Sequence, residues 1–221
     1  MIRAEFDHFI GLNSNIDIVL QPNREQYLYS SGSNIILTNL LSTNEKRLIT
    51  IHDDFVTALA LSNDGTIVAS GQKGLNSNVI IWDLSTESII YTFEEHDNSI
   101  QNLLFTHDDR VLVSIGGVDD NKLFFLDLSN GYIIASSRVP SGTACVATGG
   151  YVKDIKRRNT DKYLFATAGS NGIVLWVLDP FEGQVEAVPI QGDPRATISR
   201  HITSLSFSDD GEYLFAGTTS G

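Results

Sequence analysis

The chain has 221 residues, 42% hydrophobic and 19% charged, with a formal net charge of −12 at pH 7. This is the composition of an ordinary globular chain with length enough for a sizeable core, and it excludes a disordered one. The acidic balance argues against a broad electrostatic hold on nucleic acid or anionic lipid, either of which needs a basic surface. No apolar run approaches the roughly 18–20 residues that span a bilayer, so no membrane insertion is expected.

In chain order the sequence reads as short apolar runs broken by turn chemistry. Ile16 to Leu20, the turn Gln21-Pro22-Asn23, Gln26 to Ser30 and Asn34 to Leu40 fit three strands of a first unit. The unit opening at His52 is the clearest. Val56 to Leu61 alternates sides, Ser62-Asn63-Asp64-Gly65 is a tight turn, and Thr66 to Ser70 returns. In such a turn Gly65 takes positive φ and Asp64 bonds its own backbone. A polar loop, Gln72 to Asn78, leads to Asn78 to Asp83, the turn Ser85-Thr86-Glu87, and Ser88 to Phe93. Four antiparallel strands result, each of ordinary length.

The same plan returns after 44 residues: His52 to His96 and Trp82 to Leu126 are both that far apart. A fixed period in the forties marks a repeat architecture. The second copy runs through Ile100 to Phe105, the turn at Thr106 to Arg110, Val111 to Ile115, the loop Gly116 to Asn121, Lys122 to Asp127 and Tyr132 to Ser136. The third is looser. Leu126 to Trp176 is 50 residues, so about six are inserted, and polar Lys153 to Asp161 is the expected place. Pro180 to Arg200 is a longer excursion with a strand near Val185 to Val188. A fourth copy begins at His201, turns at Ser208-Asp209-Asp210-Gly211, and stops at Gly221 after its second strand. The approximate units are 8–50, 51–95, 96–140, 141–200 and 201–221.

On His52, Ser62-Asn63-Asp64-Gly65, Ser70-Gly71 and Ile81-Trp82-Asp83, with their echoes at His96, Leu126-Asp127, Trp176 and His201, the units resemble WD repeats. The resemblance implies an all-β fold, the WD-repeat β-propeller, built from four-stranded blades. WD propellers commonly hold about seven blades. The five units here are therefore expected to be the N-terminal part of one propeller, completed by sequence outside this chain. In the family a His, a Ser or Thr, a turn Asp and a Trp form a hydrogen-bonded set that braces each blade. That implies structural roles for His52, Ser70 and Trp82, for His96 with Asp120, for Trp176 and for His201. The set is incomplete: Asn76 or Asn78 stands for the turn Asp in the first copy, Leu126 for Trp in the second, and Asn171 for Asp in the third.

The order of Ala69-Ser70-Gly71-Gln72, Leu112 to Asp120, Phe165 to Gly172 and Phe215 to Gly221 is similar to the first propeller of a ciliary family of WD-repeat proteins. Its members have two joined propellers and lie inside axonemal doublet microtubules, against tubulin. That implies a non-enzymatic scaffold of the cytoskeleton, in the cilium or flagellum axoneme. Its partners would be tubulin, the doublet microtubule and other axonemal proteins. The alternative is a general WD adaptor for ubiquitin-ligase, trafficking or actin-related complexes.

Chemistry-bearing patterns are weak. The histidines recur at equivalent places in different units, so they should be spread around a ring rather than converge on a metal. The pairs Asp53-Asp54, Asp108-Asp109 and Asp209-Asp210 fall in connections, where Asp favours local hydrogen bonds. Asp119-Asp120-Asn121 lacks the spaced ligands of a calcium loop. No phosphate-cradling string or nucleophile elbow occurs, and no cofactor is expected. A propeller hydrolase is disfavoured because the expected innermost strands are mostly apolar. Cys145, the only cysteine, precludes an intrachain disulfide and reads as buried and inert. With a start that lacks a signal-peptide layout, it suggests a reducing, intracellular, cytoplasmic setting. Lys156, Arg157 and Arg158, beside Lys153, are the one basic cluster and a candidate contact for an acidic partner such as tubulin.

Overall fold

A computed structural model describes residues 18–22, 25–42, 45–190 and 201–220. Ile16, Asp17 and Asn23 of the expected first unit, residues 191–200 of the expected excursion, and Gly221 lie outside the described residues.

Within the described residues the fold is all-β, in sequential antiparallel meanders. The first sheet is β1 (Val19–Leu20), β2 (Gln26–Ser31), β3 (Asn34–Asn39) and β4 (Lys46–Ile49). The second is β5 (Val56–Leu61), β6 (Ile67–Gln72), β7 (Ser77–Asp83) and β8 (Ile89–His96). The third is β9 (Ile100–Phe105), β10 (Val111–Gly116), β11 (Lys122–Asp127) and β12 (Tyr132–Arg138). The fourth is β13 (Thr143–Lys153), β14 (Asn159–Gly169), β15 (Gly172–Asp179) and β16 (Gln184–Ile190). A two-stranded sheet follows, β17 (Ile202–Phe207) and β18 (Leu214–Thr218). The first strands β1, β5, β9, β13 and β17 lie side by side in series, so the sheets radiate from a common line. The fourth strands face outward, which is why β8 and β16 are largely exposed while β10 is buried throughout.

The core is a set of seams between successive sheets. Leu28, Ile35, Ile49, Val68 and Trp82 join the first to the second. Ala69, Ile81, Ile100, Leu112 and Leu126 join the second to the third. Phe125, Tyr163, Phe165 and Trp176 join the third to the fourth. The fourth and fifth share the smallest buried cluster, Cys145, Ala168 and Ile202, with Ile173 and Leu205 at its margin. A buried branched aliphatic or Phe side chain contributes about 1.5–3 kcal/mol, so the seams differ in strength with their membership.

Two features go beyond the sequence-based expectation. The first unit has a fourth strand, β4, beyond the three expected from its sequence. The insertion of the third repeat sits at the apex of a hairpin, where β13 and β14 run 11 residues each, against 6 in β5, β6, β9 and β10. The extra residues lengthen two strands and do not form a loose loop.

Candidate interaction surface

The structure brings His52, Ser70 and Trp82 together. Ser70 donates to His52 Nε2 at 2.6 Å and accepts from Trp82 Nε1 at 3.1 Å. The partner of His52 Nδ1 is neither Asn76 nor Asn78 but Gln72, whose Oε1 lies 2.8 Å away, while Gln72 Nε2 donates to Asp53 at 2.6 Å. Gln72 belongs to β6 itself, so its long side chain spans what a loop carboxylate would otherwise reach. Burial lowers the His52 pKa, partly offset by Gln72 and Asp53. The ring is therefore neutral, donating from Nδ1 and accepting at Nε2.

The third sheet holds His96 with Nδ1 2.5 Å from Asp120 Oδ2 and Nε2 2.8 Å from the hydroxyl of Ser114. Ser114 lies 44 residues beyond Ser70, a spacing that signals its role. Serine, imidazole and carboxylate stand in the order of a hydrolytic triad. Here, though, the three are only 1%, 2% and 3% exposed, and the void beside them, lined by Val79, Phe93, Phe124 and Leu126, is about 10 Å³. That volume admits one water at most, so no substrate carbonyl can reach Ser114. Leu126 occupies the place of Trp82 and offers Ser114 no donor. Burial again lowers the His96 pKa, against the opposing pull of Asp120. Gly116 is obligatory, because a Cβ there would lie 2.0 Å from Asp120 Oδ2 and 2.6 Å from His96 Nδ1. Asp119 is exposed while Asp120 faces His96, so the pair does not share one site.

Trp176 donates to Thr167 at 2.8 Å, with no histidine in the set. Asn171 instead donates to the carbonyl of Ser141. His201 is not placed with the other histidines. It stands seven residues before Ser208, whereas His52 stands ten before Ser62, which puts it level with Phe55. It is exposed, and its ring has no hydrogen-bond partner among the described residues. The likeness of the two Asp-Gly turns is what suggested the equivalence. Among the described residues no group of three or more His, Cys, Asp or Glu converges as for a metal.

Along one rim the β-turns are clasped in series. Asp109 takes the left-handed position held by Gly65 in the preceding unit, φ 56° against 76°. Its carboxylate then accepts from Asn63 N and Nδ2 at 2.8 and 2.7 Å. Asp108 reaches the other way, accepting from Tyr151 at 2.8 Å, Tyr163 at 2.7 Å and its own Thr106 at 2.7 Å. His107 meets Tyr151 edge-on, ring centroids 4.3 Å apart. The long hairpin continues the series: Lys153 donates to the carbonyl of Asp210, and Arg157 pairs with Glu212 at 3.0 Å. Arg158 pairs with Asp154 at 2.7 Å. Of the expected basic cluster, then, Arg157 and Arg158 are ion-paired and Lys153 donates to a carbonyl, while Lys156 has no side-chain partner among the described residues. Sequence reading missed Asp108, Asp109, Tyr151 and Tyr163, whose partners lie 43 to 55 residues apart.

Four-stranded meanders radiating from their first strands, with His, Ser and Trp hydrogen-bonded inside, have the architecture of β-propeller blades and resemble those of WD repeats. The WD domain, G-beta repeat family matches residues 44–83 and 192–221. Cilia- and flagella-associated protein 52 of Chlamydomonas reinhardtii is 30% identical over 96% of this chain and 34% of its own length. Its Homo sapiens counterpart is 28% identical over 99% and 35%. WD repeat-containing protein 90 of Mus musculus is 25% identical over 99% of this chain and 12% of its own length. The chain thus spans about a third of the first of these relatives. A chain in the crystal structure of a mitotic checkpoint complex shares the fold, with a TM-score of 0.69 at 18% identity, over 91% of this chain and 58% of that one.

Proposed function

We propose that this chain supplies blades of a WD-repeat scaffold of motile cilia and flagella, acting by binding and not by catalysis. It would bind inside or along axonemal doublet microtubules, against tubulin and neighbouring inner proteins. The observation that carries this reading is likeness in order across nearly the whole chain to relatives named Cilia- and flagella-associated protein 52. The sealed Ser114–His96–Asp120 set supports the non-enzymatic part. His52, Ser70 and Trp82, His96 with Asp120, and Trp176 brace blades by satisfying buried polar groups within them. His201 is left out of that role. The basic apex at Lys156, Arg157 and Arg158 suits an acidic partner surface in a chain otherwise strongly negative.

The test is a tagged full-length protein expressed in ciliated cells. The expected result is signal along axonemes that persists through detergent and high-salt extraction. A diffuse cytosolic signal, lost on extraction, would replace this reading with that of a general WD adaptor.

A further inference from the structure

We propose that the apex of the β13–β14 hairpin is a pre-organised docking knob, with Ile155 as its apolar anchor and Lys156 as its charge. The occupant would be an acidic protein surface with an apolar recess. The proposal rests for its partner on the microtubule reading above.

The apex is built, not loose. Asp154 N donates to the carbonyl of Arg158, and Arg157 N to that of Asp154, at 2.9 and 2.8 Å. The Asp154 carboxylate accepts from Lys156 N and Arg158 N at 2.8 and 2.9 Å and pairs with the Arg158 guanidinium. Those hydrogen bonds, from Arg158 and then Lys156, hold its pKa down against slight desolvation. Thr160 Oγ1 ties the strands below by donating to the carbonyl of Val152 at 2.7 Å. The stem is gripped on one flank through Tyr151 and Tyr163 by Asp108, and on the other by Asp210 and Glu212.

On this frame Ile155 is fully exposed and touches nothing of its own fold, and Lys156 beside it is exposed. A single exposed aliphatic is unremarkable on an open surface. At the tip of a braced projection it can enter a recess with little entropy to lose, which is how rigid anchors come to dominate an interface. Charge adds direction. A chain of net charge −12 is repelled by an acidic partner over most of its surface, so an unpaired cation at a projecting tip favours approach through that tip. Arg157 and Arg158 are already paired with Glu212 and Asp154, so they shape the knob while Lys156 is available to the partner.

The experiment is co-sedimentation of the purified full-length protein with microtubules polymerised from purified tubulin, beside the cell localisation described above. Ile155→Ser and Lys156→Glu should each weaken binding about tenfold, with unchanged thermal melts because both side chains are exposed. If the wild type pellets and Ile155→Ser with Lys156→Glu pellets equally well, the knob is wrong and the microtubule reading stands. If the wild type stays in solution yet decorates axonemes, the axonemal scaffold survives and the knob, committed to tubulin, is refuted. If the wild type does neither, both fall.

Discussion

Replacing Asp108 tests whether the rim clasp is an energetic link between blades or only a contact. Its carboxylate accepts from three hydroxyls, two of them on the neighbouring blade. Tyr163 is 2% exposed, so its bond to a charged acceptor is worth about 2 kcal/mol, while half-buried Tyr151 contributes about 1 kcal/mol. Asp108→Ala should therefore cost about 3 kcal/mol, read by urea denaturation followed through tryptophan fluorescence, to which Trp176 contributes from the same seam. The discriminating measurement is a double-mutant cycle. Tyr163→Phe alone should cost about 2 kcal/mol; in the Asp108→Ala background it should cost nothing or stabilise, because the phenol no longer has its partner. Burial acts to raise the Asp108 pKa, but the bonds from Thr106, Tyr163 and Tyr151 outweigh it and the net shift is downward. A depressed carboxylate contributes stability that is present above its unfolded value near 4 and is lost as pH falls through the folded value. The gap between wild type and Asp108→Ala should narrow accordingly on acidification below about pH 4. An equal cost for Tyr163→Phe in both backgrounds would show that the hydroxyl bond is not what joins the blades.

Gly116→Ala should destabilise by several kcal/mol, since its methyl overlaps the His96–Asp120 bond, whereas Gly150→Ala, which meets only backbone strain at φ 77° in open space, should cost about 1 kcal/mol; matched denaturation curves give the ranking, and equal costs would contradict it. Trp82→Phe should cost about 1–3 kcal/mol by leaving Ser70 without its indole donor and part of the seam unfilled, as measured by the urea midpoint. His52 and His96 have folded pKa values below the ordinary value near 6.5, chiefly through burial. Unfolded imidazoles then bind protons that folded ones refuse. Stability should fall as pH drops below about 6.5 toward the folded values, and His52→Gln should remove part of that slope between pH 7.5 and 5.5.

The blades were legible because their signals are local and periodic: Asp64-Gly65 sets a turn, and alternation in Val56–Leu61 sets a strand. Ser114 was also within reach, one period after Ser70. Gln72 was not, because a longer side chain on a strand replaced a carboxylate in a loop, and residue type alone does not encode reach. His201 misled because a turn motif can persist while the spacing before it changes by three residues. The rim clasp escaped for a different reason. Asp108 and Asp109 look like ordinary turn acids, and only the packing of separate repeats shows that one reaches forward and the other back. Lys156, Arg157 and Arg158 read as three equivalent charges; ion pairing by Asp154 and Glu212 distinguishes them.

The unequal seams give the lone thiol a use as a clock. Cys145 lies 8% exposed in the smallest seam, its pKa raised by burial, its sulfur within 3.6 Å of the carbonyl of Ala168. A reagent that needs the thiolate can react only when the fourth and fifth sheets part. Its labelling rate therefore measures the breathing of this one joint, at a single atom.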